Sequence, residues 1–288
     1  MKTNIYNKVH RTVRLFLPLY LLAFLPLLAA CDHIDENDRL IEVKSTTPEE
    51  PTDDKPTTVT KNVLLEDFTG QRCSNCPTGT EVIEQLLEAY GERLIAVGIH
   101  GGPLGFKGTP TVLGLATDLG DTYFNYWQLE YQPVGLIDRH GAVNYTDWIT
   151  AVRTEMEQTS GIKMTLDATL KDGQIAISIT EECLGSNYSG KLQVWVLEDG
   201  ITALQTMPDG KNNRDYVHNH VLRTTVNGTW GEDFQATTGE TKTQSLAQTI
   251  DPEWNSANLS VVAFVYNDNG VEQVVKASVK AASDLNDK

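Results

Sequence analysis

Residues 61–160 alternate between continuous apolar runs and segments of helical periodicity. "NVLLEDF" and "LIAVGIH" (Leu94 to His100) are apolar runs, which are typical of buried parallel strands. Between them, Pro77 to Tyr90 places its apolar residues on one helical face, and Gly91 is a stop signal. The later pattern predicts a helix, a hairpin and a further helix, at 111–127, 133–145 and 147–158. The predicted order is therefore β-α-β-α-β-β-α.

From Gly161 onward the pattern changes to short alternating runs. About seven such runs are separated by turn signals, among them Lys171-Asp172-Gly173 and Asn269-Gly270. Evenly spaced strands without helices favour a β-sandwich of the immunoglobulin-like kind. We therefore predict an α/β domain at 61–160, followed by an all-β domain at 161–288.

The first thirty residues have the pattern of an export signal. Four basic residues and no acidic ones precede the uncharged run Leu15 to Ala30. This order is typical of a secretory signal peptide, and the run is too short for a confident membrane span. Leu28-Ala29-Ala30-Cys31 resembles the lipobox of bacterial lipoproteins, which implies lipidation of Cys31, with palmitate among the acyl chains. An ordinary cleavage site is the alternative.

Residues 31–60 are rich in acid, Pro and Thr, which predicts a tether without a packed core. Its start, "CDHIDENDRL", resembles the export tag of surface lipoproteins in Bacteroidetes, which implies the outer face of the outer membrane rather than its periplasmic face. The net charge is -16 for the whole chain and becomes about -20 without the four basic residues of the signal. Such a chain is repelled by nucleic acid and by anionic lipid, so attachment would depend on the acyl chains.

The stretch "CSNC" places two cysteines where a helix is predicted to begin. Peptide dipoles and free N–H groups at a helix start lower the pKa of a thiol. The sequence therefore predicts that Cys73 is the nucleophile and Cys76 the resolving thiol. Arg72 adds a neighbouring positive charge. This hypothesis requires Cys73 to be open to solvent. The leftover Cys183 lies in a strand pattern and is predicted to be buried.

This arrangement resembles thioredoxin. Asp67 lies six residues before Cys73, and Pro133 directly precedes the predicted hairpin. The resemblance implies that Asp67 accepts a proton from Cys76 and that Pro133, in cis geometry, contacts the substrate backbone. Two departures bear on the redox direction: Arg72 stands where the family usually has Trp, and Ser74-Asn75 replaces Gly-Pro.

A second resemblance covers the whole mature chain. "LEDFTGQRCSNCP" and "YVHNHVLR" (Tyr216 to Arg223) resemble the outer membrane protein 28 family of Bacteroidetes lipoproteins. This family joins a thioredoxin-like domain to a C-terminal β domain. The resemblance implies localisation and architecture, but no particular activity.

Three functions remain open at this level. The cysteine pair could exchange with thiols and disulfides of exported proteins. It could instead be a structural disulfide in a surface binding or adhesion protein. A metal half-site is the third possibility, but zinc needs two further ligands, and His218 and His220 are the only candidates on one strand face. We expect no cofactor.

Two further features are singled out by position. His100 ends a strand parallel to the one before Cys73, so it could tune the cysteine pair or simply cap the following Gly-rich loop. An aromatic cluster precedes Pro133 and could be core between the domains or a partner surface: Tyr123, Phe124, Tyr126 and Trp127.

Overall fold

The computed structural model describes residues 56–282. The predicted signal peptide, the lipidation site Cys31 and all but the last five residues of the predicted tether lie outside this range. The helices are α1 (Cys76–Tyr90), α2 (Asp118–Tyr126) and α3 (Trp148–Met156). The strands up to the middle of the chain are β1 (Val59–Thr60), β2 (Val63–Thr69), β3 (Leu94–His100), β4 (Val134–Ile137), β5 (Ala142–Asn144), β6 (Thr159–Ser160), β7 (Ile162–Lys171) and β8 (Gln174–Cys183). The remaining strands are β9 (Tyr188–Glu198), β10 (Ile201–Thr206), β11 (Asn212–His218), β12 (Val221–Thr225), β13 (Glu232–Ala236), β14 (Thr241–Thr249), β15 (Leu259–Asn267), β16 (Gly270–Ser278) and β17 (Lys280–Ala281).

A large mixed sheet organises the described residues. Its strand order is β16-β15-β9-β12-β3-β2-β4-β5, and β13 pairs with β9. Strands β2 and β3 are parallel along their whole length, from Val63↔Leu94 to Thr69↔His100, and β4 is antiparallel to β2. Both β2 and β3 are buried throughout, which explains why their sequences are continuous apolar runs.

Alternate residues of β2 face two different cores, as the two-residue period of a strand requires. Val63 and Leu65 pack with Ile83 of α1 and Trp148 of α3. Residues of opposite parity, such as Leu64, pack in the core that contains α2. Helices α1 and α3 therefore lie on one face of the sheet, and α2 lies on the other.

A second sheet, of order β14-β8-β7-β17, packs against the end of the large sheet. Strands β7 and β8 alternate buried and exposed residues. Their inward side chains, such as Ile177, share a core with Val194 of β9 and Val261 of β15. Cys183 ends β8 and is a buried free thiol, as the sequence predicted. Burial, together with nearby carboxylates, raises the pKa of this thiol.

The large sheet runs across position 160. Strand β12 pairs in parallel with β3 at Val221↔Gly98. One buried cluster combines Ile95 and Ile99 of β3 with Trp195 and Phe264 from the C-terminal half. The described residues are rich in β-strands, in agreement with the β-rich part of the predicted fold class. The thioredoxin-like domain and the boundary between domains at 160/161 stay predictions.

The prediction of a helix at 111–127 is wrong for the first half of this range. Only Asp118–Tyr126 is helical, and Thr117 caps it by accepting a hydrogen bond from Gly120 N (2.9 Å). The preceding residues form a loop that folds back on itself. A Cβ on Gly114 would lie 2.0 Å from Gly108 N, so this contact depends on glycine.

Candidate functional site

The end of β2 and the start of α1 place the two cysteines. The chain leaves β2 at Thr69, and Cys73 N donates to Gly70 O (3.0 Å) in the following turn. Cys76 is the first residue of α1 and is followed by Pro77, whose missing N–H costs nothing in the first turn. Cys73 and Cys76 are joined in a disulfide, with 5.4 Å between their Cα atoms.

The disulfide is sealed from solvent. Cys73 is 1% exposed and Cys76 is 2% exposed. Exchange requires a thiolate to approach one of the two sulfurs from outside. The accessibility that the exchange hypothesis requires is therefore absent in this structure.

The cover over the disulfide includes the β10–β11 hairpin, residues 201–218. The Gln205 side chain is 3% exposed, and its Nε2 donates to Cys73 O (2.8 Å) and Gly70 O (3.4 Å). Thr206 N donates to Gln71 O (2.8 Å). The hairpin is a separate two-stranded sheet, so these contacts, rather than strand pairing with the large sheet, fasten this part of it to the cysteine turn.

Gln71 ties the same turn to a second covering segment, the loop 101–117. Its Nε2 donates to Leu113 O (3.1 Å) and to Leu204 O of the hairpin (2.9 Å), and its Oε1 accepts from Leu115 N (2.7 Å). Gln71 is fully buried. One amide therefore satisfies backbone groups of both covering segments, as buried polar groups require.

The Arg72 side chain lies against the covering loop. Its guanidinium lies 4.8 Å from the ring centroid of Phe106, in the loop 101–117. Arg72 N donates to Leu104 O (3.0 Å). The residue therefore helps to hold the loop against the cysteine turn, and its side chain is exposed.

Asp67 lies beside Cys76, where the sequence placed it. Both residues line a small cavity of about 40 Å³, a volume that exceeds the minimum for one water molecule. Asp67 is 3% exposed, and its Oδ1 has no hydrogen-bond partner among the described residues. Burial raises the pKa of this carboxyl to about 8, so Asp67 is largely protonated at neutral pH.

Pro133 follows a cis peptide bond from Gln132. Its ring packs on α1 at Gly79, where a Cβ would lie 3.2 Å from Pro133 Cγ. Gln132 Nε2 donates to Thr69 O (2.7 Å) and Gly101 O (2.9 Å). Pro133 is therefore held against the helix that begins with Cys76, between the end of β2 and the loop after β3.

His100 lines the same cavity as Asp67 and Cys76, and the sequence did not reveal its partner, His218. The two rings are 5.3 Å apart. Burial lowers the pKa of His218 to about 4 and that of His100 well below its usual value, so both rings are neutral at pH 7. The strand alternation before His218 carries no signal that this residue reaches the cavity.

His218 and His220 do not share a strand face, which corrects the expectation of a joint metal face. Strand β11 ends at His218, and His220 has a positive φ of 58°. His220 Nδ1 instead lies 3.0 Å from Asp199 Oδ1. Within residues 56–282, no group of three or more His, Cys, Asp or Glu side chains could hold a metal ion.

Three solved structures of bacterial proteins are similar to this chain over part of its length. HBP35 of Porphyromonas gingivalis matches with a TM-score of 0.61 at 17% identity, over 78% of each chain. A domain of the outer membrane lipoprotein Omp28 from P. gingivalis is 26% identical over 42% of this chain and 90% of that domain, with a TM-score of 0.32. A protein from Agrobacterium tumefaciens is 15% identical over 77% of this chain and 95% of that one, with a TM-score of 0.48. No curated protein sequence matches the chain.

The family model for outer membrane protein Omp28 matches residues 120–283, more than half of the chain. The chain belongs to the Omp28 family. Membership supports a location at the outer membrane, in agreement with the expectation from sequence. None of the helices within residues 56–282 is both long and apolar enough to cross a bilayer.

Proposed function

We propose that this chain is a lipid-anchored binding protein of the outer membrane, whose Cys73–Cys76 disulfide stabilises the fold. The observation that carries the proposal is the burial of both sulfurs, at 1% and 2% exposure. The β10–β11 hairpin and the loop 101–117 lie against the cysteine turn, and in this proposal they keep a substrate from the sulfurs. A disulfide in this position closes the turn between β2 and α1 and presents no sulfur to a partner protein.

The first half of the described chain is, in this proposal, a thioredoxin-like scaffold without a working active site. Parallel β2 and β3, antiparallel β4, the helix after Cys73 and cis-Pro133 support the classification. The departures at Arg72 and Ser74-Asn75 agree with loss of the exchange function. Arg72 contacts the covering loop, so this position contributes to closing the site.

The anchor belongs to the same proposal. Cys31 would carry the lipid, and the acidic residues after it would direct the protein to the outer face of the membrane. The net charge of -16 gives the chain no electrostatic attraction to anionic headgroups. The acyl chains would therefore hold the protein to the membrane.

Insulin reduction tests the proposal. We expect the wild-type protein to reduce insulin no faster than the Cys73→Ser variant, because neither presents an accessible thiol pair. Wild-type activity that is lost in Cys73→Ser would reject the structural role. Thioredoxin from any bacterium serves as the positive control for the assay.

One observation favours a second candidate, exchange that begins when the hairpin opens. Asp67 is a buried carboxyl with an unpaired oxygen beside Cys76, and a purely structural disulfide does not need such a group. In this candidate, an external dithiol first reduces Cys73–Cys76 and is itself oxidised to a disulfide. The Cys73 thiolate then attacks a substrate disulfide, forms a mixed disulfide and releases one substrate thiolate. In the minor fraction of molecules in which Asp67 is ionised at neutral pH, Cys76 gives its proton to this carboxylate and attacks Cys73. This displaces the second substrate thiolate and regenerates the Cys73–Cys76 disulfide.

The two candidates differ in their response to a weakened cover. Gln205→Ala removes the hydrogen bonds of the Gln205 side chain to the cysteine turn. A gated exchanger would gain insulin-reducing activity in this variant, because a larger fraction of molecules would be open. A protein with a structural disulfide would gain none, even if its disulfide became easier to reduce.

A further inference from the structure

A cleft of about 850 Å³ lies among residues that the cysteine site does not use. This size is within the range of small-molecule binding sites. Its aromatic lining residues are Tyr126, Trp127, Trp230 and Tyr266. None of its lining residues lines the cavity beside Cys76.

The aromatic rings form a connected surface at this cleft. The Tyr126 ring lies 4.1 Å from that of Trp230 and 5.3 Å from that of Trp127, between centroids. Tyr126 is 60% exposed although it is a large aromatic residue. Tyr123 and Phe124, its neighbours on α2, are buried in the core. Of the aromatic residues before Pro133, these two therefore belong to the core, whereas Tyr126 and Trp127 line the cleft.

Arg139 lies against the cleft in a conformation that is costly to maintain. Its φ is +64°, a backbone conformation that residues other than glycine rarely adopt. The residue is 7% exposed, and its guanidinium lies 4.3 Å from the Tyr266 ring centroid. Glu66 accepts two hydrogen bonds from it, at 3.0 and 3.1 Å. Residues with a strained backbone concentrate at functional sites. The conformation of Arg139 therefore favours a functional role for the adjacent cleft.

The cleft also contains hydrogen-bonding capacity that the protein does not use. Trp127 Nε1 is buried and has no acceptor among the described residues. The Asn269 side chain adds an amide donor and acceptor to the lining, whereas the Asn267 amide is already bonded to Asn269 N and Ser189 O. A ligand with several hydroxyl groups would satisfy such positions, since each hydroxyl both donates and accepts.

The positive charges around the cleft are paired with acidic side chains. Lys191 pairs with Asp233 at 2.8 Å, and Arg139 pairs with Glu66 beneath it. Asp268 adds one acidic group to the lining. The cleft therefore has no excess positive charge with which to hold an anion, and the chain as a whole repels anions.

We propose that this cleft binds a neutral saccharide. The apolar C–H face of a sugar ring packs on exposed aromatic rings, and its hydroxyls meet amide and indole groups at the edge. An aromatic platform with a polar lining and no net positive charge fits this chemistry better than an anionic or wholly apolar ligand. The inference names a ligand class for the proposed binding function, but it does not depend on the state of the disulfide.

Calorimetric titration of the full-length protein with cellotriose, maltotriose and triacetylchitotriose tests this inference. We expect saturable binding of at least one of these sugars. Tyr126→Ala should weaken it about tenfold, because an exposed stacking surface is lost. Trp127→Phe keeps an aromatic ring but removes the indole N–H, and should also weaken it. The matched control is Tyr131→Ala, which removes an exposed tyrosine outside the cleft lining and should bind like the wild type.

Absence of binding by all three sugars at about 10 mM, a tenfold excess over a millimolar Kd, overturns the proposal. Equal binding by Tyr126→Ala and wild type also overturns it, because the sugar would then lie elsewhere. An aromatic peptide that binds in the cleft when the sugars do not would assign it to a protein partner instead. Insulin reduction by the wild type would reject the structural disulfide and leave the result of the sugar titration unaffected.

Discussion

At the scale of single residues, two buried acidic side chains differ in how the cost of a buried negative charge is avoided. Glu66 and Asp67 are neighbours on β2, and both are almost fully buried. Glu66 forms an ion pair with Arg139 and accepts two hydrogen bonds from its guanidinium. Asp67 has no such partner, and burial raises its pKa to about 8. The Asp67 carboxyl therefore stays protonated at neutral pH, whereas Glu66 is paired with the Arg139 guanidinium.

Asp67→Asn should make the protein more stable than the wild type at neutral and alkaline pH. Between about pH 4 and pH 8, folded Asp67 holds a proton that the unfolded chain has lost, so wild-type stability falls as pH rises. The cost is roughly 1.4 kcal/mol per pH unit at most and levels off above the folded pKa. Asparagine does not titrate and removes this term.

Denaturant unfolding of both proteins at several pH values checks this expectation. The difference in unfolding free energy should grow from pH 4 to pH 8 in favour of the variant. The buried His100 and His218 are present in both proteins, so their contributions cancel in the difference. A difference that is constant with pH would show that Asp67 is ionised in the folded protein.

Glu66→Gln should destabilise the protein by about 3–5 kcal/mol, because it leaves the Arg139 charge buried without a counter-ion. Urea unfolding measures this change. Asp209→Asn is the control, since it removes an exposed partner of Lys211 and should leave stability unchanged. If Glu66→Gln were as stable as the control, the Arg139 charge would not depend on this pair.

At the scale of elements, the strands and helices near the cysteines were predictable, but the cover over them was not. Continuous apolar runs identified β2 and β3, and helical periodicity with Gly91 identified α1. The sequence pattern does not show that β10 and β11 form a hairpin or which surface this hairpin covers. Contacts of Gln71 and Gln205 with backbone carbonyls leave no sequence pattern, so the sealed disulfide appears only in the structure.

Gln205→Ala should expose the disulfide more often. Loss of hydrogen bonds at a buried site costs about 1–3 kcal/mol, which corresponds to an increase of roughly fivefold to over a hundredfold in the open fraction. The measurement is the rate at which dithiothreitol reduces Cys73–Cys76, followed by alkylation and peptide mass analysis.

Gln174→Ala is the matched control for this rate, because Gln174 is an exposed glutamine on β8. Its disulfide should be reduced at the wild-type rate. A Gln205→Ala protein that is reduced no faster than this control would show that the hairpin does not limit access to the sulfurs.

At the scale of the whole molecule, one core crosses the position where the sequence pattern changes. The sequence pattern predicts a shift from mixed α/β to all-β near residue 160. It could not indicate that β12 would pair with β3, because pairing between distant strands depends on the complete sheet. Trp195 and Phe264 pack together with Ile95 and Ile99 in one buried cluster.

We therefore expect the described chain to unfold in a single cooperative transition. Calorimetric and van't Hoff enthalpies should agree. Phe264→Ala should lower the free energy of unfolding of the protein by about 3–5 kcal/mol. The variant should still unfold in one transition. Leu113→Ala, an exposed control, should leave the transition unchanged. Two transitions, only one of them shifted by Phe264→Ala, would show that the halves fold independently.

The reduction potential of Cys73–Cys76 in the native protein tests the central claim most directly. Equilibration with thiol buffers of known potential, acid quenching and mass analysis of the cysteine peptide give the value. A structural disulfide beneath an intact cover predicts a potential below about -300 mV. A value between about -120 and -270 mV, the range of exchange proteins, would contradict the structural role and favour catalysis.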